Sequence, residues 1–98
     1  MIKFTWDPNK YKTNIEKHDV SFDEAKSVFY DDFGLLISDP DHSDEEERFI
    51  LLSLSIKLNV LVVVHCYREN DELIRIISAR KATKFETGIY LKNKGDKL

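Results

Sequence analysis

Residues 60–67 read VLVVVHCY, Glu69-Asn70-Asp71 follow, and residues 73–80 read LIRIISAR. The first stretch is rich in β-branched residues and almost continuously apolar, which predicts a strand buried on both faces. The polar triplet after it is a turn signal, so the second stretch is expected to return as an antiparallel neighbour. Working backwards, residues 49–56 form another apolar run with a turn near 57–59, and residues 35–37 form a shorter one stopped by Asp39-Pro40. At the start, Phe4-Thr5-Trp6 reads as a short strand, and Asp7-Pro8 is a helix start: the carboxylate caps free amides and proline fits the first helical position. Ser21 and Glu24 have capping-box spacing for a second helix, and residues 81–92 have the composition of a third. The expected class is α+β: an antiparallel β-sheet with two N-terminal helices and a C-terminal helix. One domain over residues 1–98 is expected, its tail fraying from about residue 92.

Composition narrows the function. With 98 residues and 42% apolar residues the chain supports one core. Its longest unbroken apolar run, residues 60–64, is far short of the ~20 residues of a membrane-spanning helix. Met1-Ile2-Lys3 leads straight into polar residues rather than a signal-peptide core, so the expected location is cytoplasmic. A lone cysteine, Cys66, excludes an internal disulfide and reads as a small buried hydrophobe. The net charge of −3 conceals strong segregation. Residues 19–47 carry eleven acids against Lys26, whereas residues 75–98 carry seven Lys and Arg against Glu86 and Asp96. Such a chain can offer a basic face to one partner and an acidic face to another.

Arg75 is the residue most in need of explanation. A guanidinium among apolar neighbours in an inner strand is unfavourable unless an anion or carboxylate meets it. Arg80 ends the same strand, with Lys81 and Lys84 close by, and arginine's planar donor fork suits phosphate. Two readings stay open: a phosphate site, or a structural ion pair of Arg75 with Glu47 or Glu72. The five-residue spacing of Arg75 and Arg80 sends them to opposite faces unless the strand twists, bulges or ends between them. His65 is either a proton carrier near neutral pH or a structural donor, and whether it faces Arg75 depends on the length of the hairpin loop. His18 is expected to bond helix ends in a turn, and His42 to be solvated. Asp39, Asp41, Asp44 and Glu45-Glu46-Glu47 suggest a calcium loop, but an EF-hand counted from Asp39 requires Gly and Glu where Asp44 and Ile50 stand. No cofactor is therefore expected, and these acids are assigned to a solvated loop.

Several segments, in order, resemble the BrnT family of bacterial type II toxins. They are residues 4–10 (FTWDPNK), 14–22 (NIEKHDVSF, with Asp19 where glycine is usual), 39–43 with 47–49, 62–65 (VVVH), and 75–83 (RIISARKAT). The resemblance implies a RelE-like ribonuclease fold and a toxin that cleaves RNA and arrests growth. It also implies a BrnA-like antitoxin whose ribbon-helix-helix domain, rather than the toxin, contacts operator DNA. By position, Arg75, Arg80 and His65 match the family's strand residues and become the candidate catalytic set. Lys81 and Lys84 are candidate contacts to the RNA backbone. RNA supplies its own 2′-OH nucleophile, so the chemistry needs charge stabilisation and proton transfer rather than a metal. The competing reading is a non-catalytic module that pairs with a DNA-binding repressor through its acidic block.

Overall fold

The Asp7 carboxylate accepts the amide of Asn9 at 2.8 Å, Pro8 takes the first helical position, and α1 runs Pro8–His18. The structure, a computed structural model, describes residues 2–42 and 46–95. Helix α1 ends on Asp19, left-handed at φ 54°, whose amide bonds the Ile15 carbonyl at 3.0 Å. A residue without Cβ adopts this geometry more freely than aspartate does.

Helix α2, Phe22–Ser27, begins where the Ser21 hydroxyl accepts the Glu24 amide at 3.0 Å. The expected capping box is only half made. Glu24 turns inward instead, accepting hydrogen bonds from Ser55 Oγ at 2.6 Å and Asn59 Nδ2 at 3.0 Å. It thereby ties α2 to the turn that follows the third strand.

Five strands form one sheet: β1 (Lys3–Thr5), β2 (Leu35–Ser38), β3 (Phe49–Leu54), β4 (Val60–Arg68) and β5 (Leu73–Lys81), in the order β1-β5-β4-β3-β2. Strands β2 to β5 are an antiparallel meander, with short turns joining β3 to β4 and β4 to β5. β1 joins β5 in parallel, Phe4 opposite Ile74, because both helices and three strands separate the two in sequence. Leu61, Val63, Ile76 and Ala79 of the central strands pack against Val20, Phe22, Ala25 and Val28 to make the core.

β5 runs one residue past Arg80, to Lys81, and α3 starts later than expected, at Lys84–Lys94. Its cap is a full box: Thr83 Oγ1 accepts the Glu86 amide at 3.1 Å and Glu86 Oε1 accepts the Thr83 amide at 2.8 Å. The helix is pinned by buried Tyr90, whose hydroxyl donates to Asp31 Oδ2 at 2.6 Å. The same oxygen accepts Ser53 Oγ and the Leu54 amide. Burial pushes the Asp31 carboxyl up, but its bonds from Tyr90, Leu54, Phe33 and Ser53 outweigh this and hold it below its ordinary value. Residues 43–45 of the acidic loop and 96–98 of the expected tail lie outside the described residues.

Candidate active site

The register between β4 and β5 slips once. Val64 pairs with Ser78 and His65 with Ile76, so Ile77 is an extra residue in the ladder, a β-bulge. Its effect on side-chain direction is decisive. Arg75 pairs with Cys66 and Arg80 with Val62, four residues apart on β4 and therefore on one face. The bulge turns a five-residue spacing, which alternation alone would split between faces, into a shared face with Ser78 between the two arginines. Measured along β4, their attachment points are about 13 Å apart at ~3.3 Å per residue.

The two guanidinium groups have different surroundings. Arg75 is half-buried and, among the described residues, has no carboxylate partner; neither Glu47 nor Glu72 meets it. The structural ion pair that the sequence left open is absent from the described contacts. Arg80 is engaged: Nη1 and Nη2 donate to Glu86 Oε1 and Oε2 at 2.8 and 2.9 Å. Hydrogen bonds from Arg80, then the Thr83 amide, hold the Glu86 carboxyl at about 2, well below its usual range, and Arg80 is pushed up in turn. One carboxylate thus both caps α3 and neutralises the second arginine.

His65 does not join the arginines. It lies on the opposite face, opposite Ile76 in the ladder and fully buried. Phe29 meets its ring edge-on at 4.8 Å, Phe49 and Tyr67 pack nearby, Nδ1 contacts the Val63 carbonyl at 3.2 Å and Nε2 the Tyr67 hydroxyl at 3.3 Å. Burial lowers its pKa to about 4 despite the Val63 bond, so the imidazole is neutral at pH 7. The sequence left the face of His65 open; the four-residue turn at 69–72, with left-handed Glu69, Asn70 and Asp71, sets it away from Arg75. Cys66, across from Arg75, is buried at 2% exposure. Lys81 and Lys84 are exposed, Lys81 opposite Leu61 and hence off the arginine face, Lys84 at the start of α3. Among the described residues no cluster of three His, Cys, Asp or Glu is placed to hold a metal ion.

Three participants escaped the sequence reading. Glu86 was signalled only by its spacing from Thr83. Ser78 was hidden by the unseen bulge. Asn14, buried in α1, gave no sign that its amide would donate to the Ala79 carbonyl at 2.8 Å and accept the Ala79 amide at 3.0 Å, sealing the β5 edge beyond the end of β1.

The family described as the ribonuclease toxin BrnT of type II toxin–antitoxin systems matches residues 6–86. The chain belongs to the BrnT family. The matched span runs from Trp6 to Glu86, so it includes the bulge, both arginines and the carboxylate that holds Arg80. Among solved structures, the chain is similar to the Brucella abortus ribonuclease toxin BrnT, with a TM-score of 0.62 and 23% sequence identity over 86% of this chain and 100% of that one. At that identity the likeness establishes the fold. No curated protein matches the chain by sequence.

Proposed function

We propose that this BrnT-family protein is a metal-independent endoribonuclease whose phosphate site is the β5 face carrying Arg75 and Arg80. Arg75 is the observation that supports it. A half-buried cation with no carboxylate among the described residues leaves the folded protein electrostatically incomplete, and a phosphodiester completes it. In the proposed reaction the substrate's 2′-oxygen attacks the adjacent phosphorus. The bond from phosphorus to the 5′-oxygen breaks; the 2′-hydroxyl gives up its proton to water and the departing 5′-oxygen takes one from water, leaving a 2′,3′-cyclic phosphate and a free 5′-hydroxyl. Arg75 stabilises the negative charge that gathers on the phosphoryl oxygens, and Arg80 does so once released from Glu86. Lys84 holds flanking phosphate, with Lys81 at the end of β5. His65, buried on the other face, is assigned to packing rather than to proton transfer.

Growth arrest and relief by a BrnA-like antitoxin complete the proposal. A depression of about 510 Å³ is lined by Leu36, Phe49 and Tyr67 beside Glu47 and Asp71, with Glu46 paired to Arg68 at 2.7 Å; its apolar contact and remaining negative charge suit a basic antitoxin segment. The same depression favours the rival reading, a partner-binding module without catalysis. Incubating purified protein with RNA in EDTA separates the two readings: the nuclease yields cyclic-phosphate ends and Arg75→Ala loses at least tenfold in rate, roughly the 1.4 kcal/mol of one charge-assisted contact. Undiminished cleavage by Arg75→Ala removes the site assignment, and absence of cleavage by the wild type favours the module.

A further inference from the structure

Lys10, Asn14 and Lys17 recur on one face of α1, at helical spacings of four and three residues. That face lies over the part of β5 that β1 leaves uncovered, since pairing with β1 ends at Arg75. Asn14 seals the edge at Ala79, but at the bulge a cavity of about 350 Å³ remains, with Lys10, Thr13, Lys17 and His18 on the helix side and Ile77 and Ser78 on the strand side. No carboxylate lines it, and neither lysine is ion-paired among the described residues. In a chain of net charge −3 this is distinctive: three other cavities are lined by Glu46, Asp71 or Asp31 among their acids.

We propose that this cavity is a second RNA subsite, gripping the sugar–phosphate backbone of single-stranded substrate next to the cleavage site. The inference rests on the RNA-substrate reading above. Ser78 links the two places, because it borders the cavity and shares the face of Arg75 and Arg80. A strand leaving the arginine face across the open β5 edge therefore meets α1. Lys10 and Lys17 are about 10.5 Å apart along the helix axis at ~1.5 Å per residue. That matches phosphates about three stacked nucleotides apart at ~3.4 Å per step. The lysines supply charge, and Thr13 and Ser78 supply hydroxyls for the ribose and phosphate oxygens.

The test is binding of a short single-stranded 2′-O-methyl oligoribonucleotide, which lacks the nucleophile and cannot be cleaved, at several salt concentrations. Relative to wild type, the double variant Lys10→Ala/Lys17→Ala is expected to bind five- to tenfold more weakly and to lose about 1.4 from the log–log salt slope, ~0.7 per single-strand phosphate contact. Lys12→Ala removes the same kind of charge from another face of the same helix and is expected to leave the slope unchanged. Equal losses in Lys12→Ala, an unaltered slope in the double variant, or no binding by the wild type overturns the subsite. Cleavage of ordinary RNA, measured in parallel, keeps the two proposals apart. Cleavage with an unaltered slope removes the subsite alone; lysine-dependent binding without cleavage removes the nuclease reading alone.

Discussion

Replacing Glu86 by glutamine tests whether Arg80 is a phosphate ligand held in reserve. Glutamine can still accept the Thr83 amide, so the cap of α3 survives while the charge is lost. The depression of the Glu86 carboxyl from 4.5 to about 2, by Arg80 and Thr83 together, sets a ceiling of about 3.5 kcal/mol on the pairing, at ~1.4 kcal/mol per pH unit. The Arg80 side chain is 40% exposed, however, and solvent screening brings a pair of this kind to about 1 kcal/mol. Glu86→Gln is therefore expected to lower stability by about 1 kcal/mol, or roughly 4–8 °C in Tm for a domain this small. Removing the internal competitor leaves Arg80 free for phosphate, and 1 kcal/mol corresponds to about a fivefold gain in kcat/KM at limiting RNA. Cleavage rates of wild type, Glu86→Gln and Arg80→Ala at sub-saturating RNA, with a thermal melt of each, give both numbers. The sign with pH is also fixed. Because the folded carboxyl titrates below the unfolded one, the pair's contribution is complete above about 4.5 and fades as pH falls towards 2. Glu86→Gln should lose less stability than wild type across that window. Unchanged cleavage in both Glu86→Gln and Arg80→Ala would refute the reasoning and leave the pair purely structural.

Three further outcomes are expected. Asn14→Ala removes one buried amide and strands the Ala79 N–H and C=O and the Val20 carbonyl; at ~1 kcal/mol each, chemical denaturation should show a loss of about 3 kcal/mol, and a loss below 1 would show that water replaces the amide. Asp19→Gly relieves a left-handed φ of 54° and should raise Tm by a few degrees, equivalent to about 0.5 kcal/mol; a fall would mean that the Asp19 side chain itself stabilises the helix end. His65 titrates at about 4 in the fold against 6.5 as a free group, so the unfolded chain binds the extra proton in between and wild-type stability declines as pH drops from 6.5 towards 4, by up to about 3 kcal/mol. Melts of His65→Gln from pH 7 to 5 should be flatter, and an equally steep profile would place the titrating group elsewhere.

Where the sequence carried a repeating physical signal, the structure followed it. The apolar runs around Val63 and Ile76 became the two central strands because β-branched residues fill a sheet buried on both sides. Asp7-Pro8 started α1 because a carboxylate cap acts within two residues of itself. The misses arose where the cause was distant or concerned one residue. A three-residue strand such as β1 carries too few positions to declare its partner, let alone its direction. Glu24 had the right spacing to reach back to Ser21, yet Ser55 and Asn59, brought near only by the fold, bind it instead. The bulge was foreshadowed only by adjacent apolar Ile76 and Ile77, both buried, which a regular strand would send to opposite faces.

That single extra residue connects stability to the proposed chemistry. Without it, the parity that buries Ile74 and Ile76 would carry on, sending Ser78 and Arg80 into the core and turning Ala79 out of it. With it, Ala79 stays in the core while Arg75, Ser78 and Arg80 share the opposite face. The bulge also interrupts the edge of β5 just past the end of β1, which is where α1 must supply Asn14 as a substitute ladder partner. A sheet edge capped by one side chain and flanked by lysines resists pairing with another strand while remaining open to a polyanion. The charge pattern is consistent with this division of labour: acids concentrate in residues 19–47, while Arg75 on β5 and Lys10 and Lys17 on α1 have no carboxylate partner among the described residues. Of the two arginines on this face Arg80 is held by Glu86, so what separates a resting face from an active one is the competition between Glu86 and phosphate for a single guanidinium.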